Sequence, residues 1–375
     1  MKAEMIKEII LIKNSAKEFA RKELINYEES DRYPFVDLNR QVIQKAYDLD
    51  FFHIVLPQES GGIGQNLFAL CALLDNISQI DASLSGIILT NTISQTILSL
   101  SNEIELIENI CKNSKTVFDF LIAFQSYNNP YEFENFSIAS KENNQYILNG
   151  KINYLVLGNI AHYALIPGII KGTNNYSYFI VDLSDNSIQK SEPILSLGLH
   201  ACPAIDIELK NCKASLIGKE ENGHVYFTKM SDKMSVVSSS ISLGIMKGAF
   251  NQSLLYCKDR KQGGRQVIEW SKIQMMLADM GIDIQIAEMC VSNASNAIDN
   301  NEKGWEQKAL ACAIKVMSMA YSLTSDGIQT LGGVGYMKDF GQEKRFRDAQ
   351  QIQSLLGLMP LKKIRFIKKL AKMDK

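Results

Sequence analysis

The apolar positions of this chain repeat with one period at its ends and another in its middle. From residue 4 to about 115, Met5, Ile9, Ile12, Ala16 and Phe19 recur every three or four residues, which lays them on one face of a helix. Arg32-Tyr33-Pro34-Phe35 interrupts the pattern, and the next helix is expected to carry Val42, Ala46 and Leu49. Leu56-Pro57-Gln58-Glu59-Ser60-Gly61-Gly62-Ile63-Gly64 then reads as a turn before another apolar helix. Glycines that follow a proline mark loop geometry more readily than a phosphate cradle.

From about residue 116 the period falls to two. Ile205, Ile207 and Leu209 alternate with Asp206, Glu208 and Lys210, the pattern of a half-buried strand. Lys141-Glu142-Asn143-Asn144-Gln145 separates Phe136–Ser140 from Tyr146–Leu148 and predicts a hairpin, and Tyr178–Asp182 predicts another strand. From about 224 the helical period returns. Leu243, Met246, Phe250, Leu254 and Cys257 form one stripe, Ile273, Met276, Leu277 and Met280 a second, residues 305–330 carry a third helix, and a fourth is expected after Arg347. Long helices with short connections predict a bundle. The fold class is therefore α+β: an all-helical domain at 1–115, a β domain at 116–222 and a helical bundle at 223–375. That order implies no activity.

Composition narrows the field a little. The 375 residues suffice for two or three packed units, and 40 basic side chains face 41 acidic ones. A near-neutral chain gives no electrostatic reason to expect nucleic acid or a membrane surface as partner. No apolar run reaches the roughly 20 residues of a membrane span, and the N-terminus lacks the form of a signal peptide. Seven cysteines stand singly, without a Cys-x-x-Cys pair, and the four histidines are far apart. Free thiols in a reducing cytoplasm are expected, and no metal site.

Four segments carry more. Asp259-Arg260-Lys261-Gln262-Gly263-Gly264-Arg265-Gln266-Val267-Ile268 pairs a guanidinium, whose forked donors suit phosphate oxygens, with glycines that permit close backbone approach. Asp326-Gly327-Ile328-Gln329-Thr330-Leu331-Gly332-Gly333-Val334-Gly335-Tyr336 ends a helix in glycine. Leu148-Asn149-Gly150-Lys151-Ile152-Asn153-Tyr154-Leu155-Val156-Leu157-Gly158 reads as a strand, and Arg347-Asp348-Ala349-Gln350-Gln351-Ile352-Gln353-Ser354-Leu355-Leu356-Gly357 lies near the C-terminus. Read alone, each has a bland meaning: a basic helix end, a helix stop, a buried strand, a helix-to-turn junction. Together, at their spacing, they resemble the acyl-CoA dehydrogenase superfamily from about residue 30 to 357, with its N-terminal helical domain, β-barrel-like middle domain and C-terminal four-helix bundle.

The resemblance implies FAD as cofactor. It places Arg260 at the pyrophosphate, and Gln329, Gly332 and Gly333 at the FAD of a neighbouring subunit, hence a homodimer or homotetramer. It sets Tyr154, Leu155 and Val156 against the isoalloxazine. Tyr154 takes the place of the family's tryptophan, and Val156 that of a threonine whose hydroxyl lies near the reactive flavin nitrogen. Gly263 replaces an aromatic residue, and His200, in Leu197-Gly198-Leu199-His200-Ala201-Cys202-Pro203, replaces a common arginine. Ala123-Phe124-Gln125-Ser126-Tyr127-Asn128-Asn129-Pro130 stands where the family has the glycine-rich loop that helps hold flavin and thioester. Leu356 occupies the position of the usual catalytic glutamate, and Met234 the alternative one used by some members. Asp232 is the nearest carboxylate to that second position.

Three readings follow from the resemblance. One is an FAD oxidoreductase acting on an acyl thioester, carried by an acyl carrier protein, with atypical chemistry such as an aldehyde-to-acid step. Another is a conventional acyl-CoA dehydrogenase with Asp232 as displaced base. The third is a catalytically silent flavin-binding or structural homologue. The electron acceptor implied is an electron-transfer flavoprotein, with molecular oxygen as alternative.

Overall fold

The structure is a computed structural model that describes residues 2–24, 39–130, 136–142 and 145–372. The Arg32–Phe35 break and the hairpin tip at 143–144 lie outside the described residues.

Among the described residues, six helices make the N-terminal unit: α1 (Lys2–Phe19), which ends in a wider turn over Ala20–Leu24, α2 (Arg40–Asp48), α3 (Leu67–Ser78), α4 (Ala82–Leu100), α5 (Ile104–Asn113) and α6 (Val117–Phe120). Asn39, Asn66 and Asp81 start α2, α3 and α4 by accepting the amides of Val42, Ala69 and Ser83. Leu49 departs from expectation. It is the C-cap of α2, past the last helical residue, and 48% exposed, while Val42 and Ala46 are buried. α3 and α4 are buried on most sides and form the inner layer.

The middle unit runs through β1 (Ile122–Ala123), β2 (Ser137–Glu142), β3 (Gln145–Val156), β4 (Tyr163–Ile170), β5 (Tyr176–Asp182), β6 (Ile188–Lys190) and β7 (Ala204–Ile217). β4, β2, β3, β7 and β5 pair in that order, and β5 pairs back onto β4, so the sheet closes into a five-stranded barrel with β1 and β6 at its rim. The alternation of Ile205, Ile207 and Leu209 holds as far as Asn211, whose φ of 56° shifts the register. Irregular pairing between Ile152 and Leu155 of β3 puts Tyr154 at φ 54°, a conformation an aromatic residue seldom adopts. Its amide is held by the Asp206 carboxylate at 2.8 Å.

The bundle holds α7 (Gly223–Asp259), α8 (Ser271–Asp299) and α9 (Trp305–Leu331), with a small hairpin, β8 (Lys261–Gln262) and β9 (Arg265–Gln266), between the first two. The fourth helix is not a single element beginning after Arg347. It is α10 (Gln342–Ile352), which starts earlier, followed by a turn and α11 (Met359–Leu370). The break falls where Leu356 and Gly357 adopt φ 58° and 111° and Pro360 starts the next helix, conditions an unbroken helix does not meet. The bundle is tied back to the first unit by Asp299, whose carboxylate accepts the amides of Leu67 and Phe68 at 2.9 and 3.0 Å.

Five cysteines are buried and two half-buried, all as free thiols. No helix among the described residues is long and apolar enough to cross a membrane.

α7 crosses α3 at Gly244, where an added Cβ would lie 2.4 Å from the Asp75 carbonyl oxygen. Gly244→Ala is expected to destabilise the chain by about 1–3 kcal/mol through overpacking, read as a lower urea midpoint. An unchanged midpoint would show that the two helices separate freely.

Candidate active site

Helix α10 delivers Leu356 to the β unit. Its amide donates to the Ser126 carbonyl at 2.8 Å, and the Ser126 hydroxyl shares a buried hydrogen bond of 2.9 Å with Thr90 on α4. The neighbouring Tyr127 packs edge-to-face on Tyr154, ring centroids 5.4 Å apart. Gln351, one turn before Leu356, donates to the Tyr154 hydroxyl at 2.7 Å. Desolvation pushes the Tyr127 phenol well above its ordinary pKa, so it stays protonated. Phe124 pairs with Val156 through both backbone groups, at 3.1 and 3.0 Å, and Gln125 donates to the Asn153 carbonyl at 2.7 Å. One short segment therefore touches Asn153, Tyr154, Val156 and Leu356.

The result is a dry, apolar site. Leu155 and Leu157 are 0% exposed, Val156 1% and Leu356 4%. The Val156 amide is taken by Phe124 and that of Leu157 by the Pro203 carbonyl at 2.8 Å, so neither is spare. A hydrocarbon side chain at 356 cannot accept a proton. Asp348 on α10 is committed elsewhere: its carboxylate accepts the Leu199 amide at 2.7 Å and pairs with Lys344 at 2.7 Å. Arg347 and His200 join the same tie, with Arg347 donating to the Leu197 carbonyl and lying 3.3 Å from His200 Nε2. A backbone hydrogen bond and an aromatic pair each contribute about 0.5–1.5 kcal/mol.

A second group of predicted residues gathers at the end of the bundle. α7 and α9 finish side by side there, with Cys257 Sγ 3.7 Å from the Thr330 carbonyl. Gln342 at the start of α10 seals the junction by donating to Ala249 and Ser253, at 3.0 Å each. Arg260, Gln329, Gly332 and Gly333 are all exposed. An added Cβ at Gly264, Gly332 or Gly333 would meet nothing within 4 Å. The aromatic residue missing at Gly263 has a substitute: the half-exposed Trp270 ring lies 2.9 Å from where a Cβ at 263 would sit, with the Arg265 guanidinium stacked on it at 3.6 Å. Forked donors, open backbone and an aromatic face suit the phosphates and adenosine of a dinucleotide. This end fits FAD. The Tyr154–Val156 end has the expected residues but is covered by the chain's own segment. Gln342 and Gln351 are nine residues apart on α10, about 14 Å along the helix, so one chain separates the two groups.

Asp232 belongs to neither group. It is 3% exposed on α7, with its carboxylate 2.8 Å from Arg365 and 3.5 Å from Lys369 of α11. Burial raises its pKa and the two cations oppose that rise. One turn earlier on the same face of α11, Lys362 donates to the carbonyls of Gln353 and Leu355. The three cations pin α11 between Asp232 and the Leu356 turn, so Asp232 is built as an anchor for that helix, which argues against a role as base. Met234 is buried at 2% and offers no proton acceptor.

The chain matches the Acyl-CoA dehydrogenase, N-terminal domain family over residues 7–104 and the Acyl-CoA dehydrogenase, C-terminal domain family over residues 222–358. It belongs to the acyl-CoA dehydrogenase family. Among relatives of this family, the caffeyl-CoA reductase-Etf complex subunit CarC of Acetobacterium woodii is 25% identical over 355 residues, covering 91% of this chain and 92% of the relative. Among solved structures, the prolyl acyl carrier protein oxidase AnaB superposes with TM-score 0.87 at 18% identity, covering 97% of this chain and 98% of that one. The FAD complex of PigA gives the same TM-score and identity, covering 98% of each. These likenesses show that the barrel and bundle are those of the family.

The structure gathers Arg260, Gln329, Gly332 and Gly333 at one end and Tyr154, Leu155, Val156 and Leu356 at the other, and places beside them Tyr127, Gln351 and Trp270, which the sequence reading did not single out. The first of these sits in the segment whose glycines are gone, and that replacement was its only signal. Arg365→Met is expected to lower stability by about 3–5 kcal/mol, because it leaves the buried Asp232 carboxylate short of its main partner. Asp232→Asn is expected to leave any flavin reduction by thioester within about threefold. A loss of the 10²–10⁴-fold that a positioned base contributes would restore Asp232 as base.

Proposed function

We propose that this protein is an FAD-dependent oxidoreductase that acts on an acyl thioester carried by an acyl carrier protein, by a reaction that does not begin with removal of an α-proton by a side-chain carboxylate. The observation that supports it is the contrast between the two groups. The dinucleotide end is open and chemically suited to FAD, while both carboxylate positions are filled by Leu356 and Met234 and the nearby Asp232 is tied to Arg365. FAD, when bound, supplies the acceptor for two electrons from the substrate. The chain's own residues then position the cofactor through Arg260, Gln329 and the open glycines, and exclude water through Leu155, Val156 and Leu356. A carbon already at the aldehyde level, or a carrier-bound group oxidised without α-proton loss, suits a site of this kind. The carrier-protein assignment draws on the oxidase of a prolyl acyl carrier protein that shares the fold. An electron-transfer flavoprotein is the acceptor favoured by the Etf complex of the CarC relative.

The exposed glycine cradle at 332–333 and the ring-side residues lie apart in one chain, which supports a homo-oligomer that brings one subunit's cradle to the next subunit's ring site. Met275, Ile282, Ile286 and Met289 give α8 an exposed apolar stripe of the kind that subunit contact buries. A catalytically silent scaffold is the second reading, favoured by the burial of Leu155, Val156, Leu157 and Leu356.

Purified protein is expected to carry FAD and to keep its visible absorbance on anaerobic mixing with butyryl- or octanoyl-CoA. Rapid bleaching by either would overturn the proposal, whereas bleaching only by carrier-tethered acyl groups would support it. No bleaching by any thioester, even with ring-site access restored, would leave the silent scaffold. Leu356→Glu is expected to increase bleaching by acyl-CoA; no change would place the block in the pocket instead of the missing base. Ile282→Lys with Met289→Lys is expected to shift the protein from oligomer to monomer in light scattering, with loss of FAD. A wild-type monomer retaining FAD would contradict the shared site.

A further inference from the structure

The two ends of the cofactor site differ in access, and the difference has a single source. Four consecutive residues, Phe124 to Tyr127, engage Asn153, Tyr154, Val156 and Leu356. Phe124 occupies the backbone of Val156, Gln125 the carbonyl of Asn153, Ser126 the amide of Leu356, and Tyr127 the face of Tyr154. The dinucleotide end has no such cover, since Gly264, Gly332 and Gly333 face open space. We infer that Phe124–Tyr127 is a gate over the flavin-ring end of the site, closed in this structure and latched by the packing of Tyr127 on Tyr154, whose hydroxyl Gln351 holds. The inference rests on the reading of the site as one for FAD.

The contacts divide the gate into parts that substitution can and cannot reach. The Leu356–Ser126 and Phe124–Val156 bonds are backbone to backbone, so no side-chain substitution deletes them and they break only when the whole segment lifts. Tyr127 is different. Its hold is its ring on Tyr154, and that contact vanishes with the side chain. Gln351 fixes the Tyr154 hydroxyl from the α10 side and so orients the ring on which Tyr127 packs.

A gate of this kind acts on one part of the ligand only. A nucleotide that lacks the ring needs no opening. FAD with its ring inserted does, and its apparent affinity falls by the fraction of molecules open. Tyr127 is thus a positioning residue that sets how readily the ring enters, and opening uncovers Tyr154, Val156 and Leu356 together.

The test compares FAD with ADP on the full-length chain, stripped of any co-purified flavin, by calorimetry. Tyr127→Gly is expected to tighten FAD binding about tenfold or more and to leave ADP within about twofold. Gln351→Leu, which frees the Tyr154 hydroxyl and keeps the ring packing, is expected to tighten FAD by a smaller factor, and it carries the test if the glycine variant fails to fold. Quenching of flavin fluorescence should rise in the same order as the ring enters the protein. Equal FAD affinity in wild type and all variants would overturn the gate while leaving the cofactor assignment intact. Weaker FAD binding in Tyr127→Gly would overturn it as well, making Tyr127 a residue that holds the ring. Failure of every form to bind either ligand would remove the FAD reading and the gate with it.

Discussion

A single backbone hydrogen bond, from the Leu356 amide to the Ser126 carbonyl, fixes the geometry on which the site depends. It joins the C-terminal end of α10 to the segment leaving β1, and so sets the β barrel against the bundle at the reaction side. The bond forms because the chain turns sharply at Leu356 and Gly357, both at positive φ, and points the amide outward from the helix. Lys362 holds the carbonyls of the same turn from the far side, and Arg365 and Lys369 fasten its helix to α7 through Asp232. The turn is clamped from two directions. A leucine there fills space that a carboxylate would leave charged and unpaired in a dry interior, at a cost of several kcal/mol.

This clamp explains why the two halves of the cofactor site diverge. Phosphate recognition needs exposed donors and free backbone, and it survives changes of neighbouring side chains. The Trp270 ring beside Gly263 leaves an aromatic face at that end. Proton abstraction has no such tolerance, because it needs one carboxylate within hydrogen-bond reach of one carbon. Once Leu356 and Met234 are apolar, a polar pocket around them has no purpose. The chain packs the region with Leu155, Val156, Leu157 and Tyr127 instead.

The architecture was legible because it rests on periods. The stripe from Leu243 to Cys257 and the alternation from Ile205 to Leu209 each report which face is buried, and burial is what forms the elements. Leu49 was misplaced because a helix end depends on capping that the period does not encode. The split of the last helix was missed for a similar reason: an apolar pattern continues across the turn, and only Leu356, Gly357 and Pro360 interrupt it. Of the candidate site, the proposed phosphate-side residues stand in short local segments that a sequence displays. The gate was not legible, since Tyr127 and Gln351 are more than two hundred residues apart and only the fold brings them together. The anchoring of Asp232 by Arg365 and Lys369 was hidden likewise.

Closure of the ring side by the chain itself is the claim from which the rest follows. Amide hydrogen exchange across residues 353–358 in the flavin-free protein tests it directly. Slow exchange at Leu356, accelerated by Tyr127→Gly, is the expected result. Exchange at the rate of an exposed turn in the wild-type chain would contradict it.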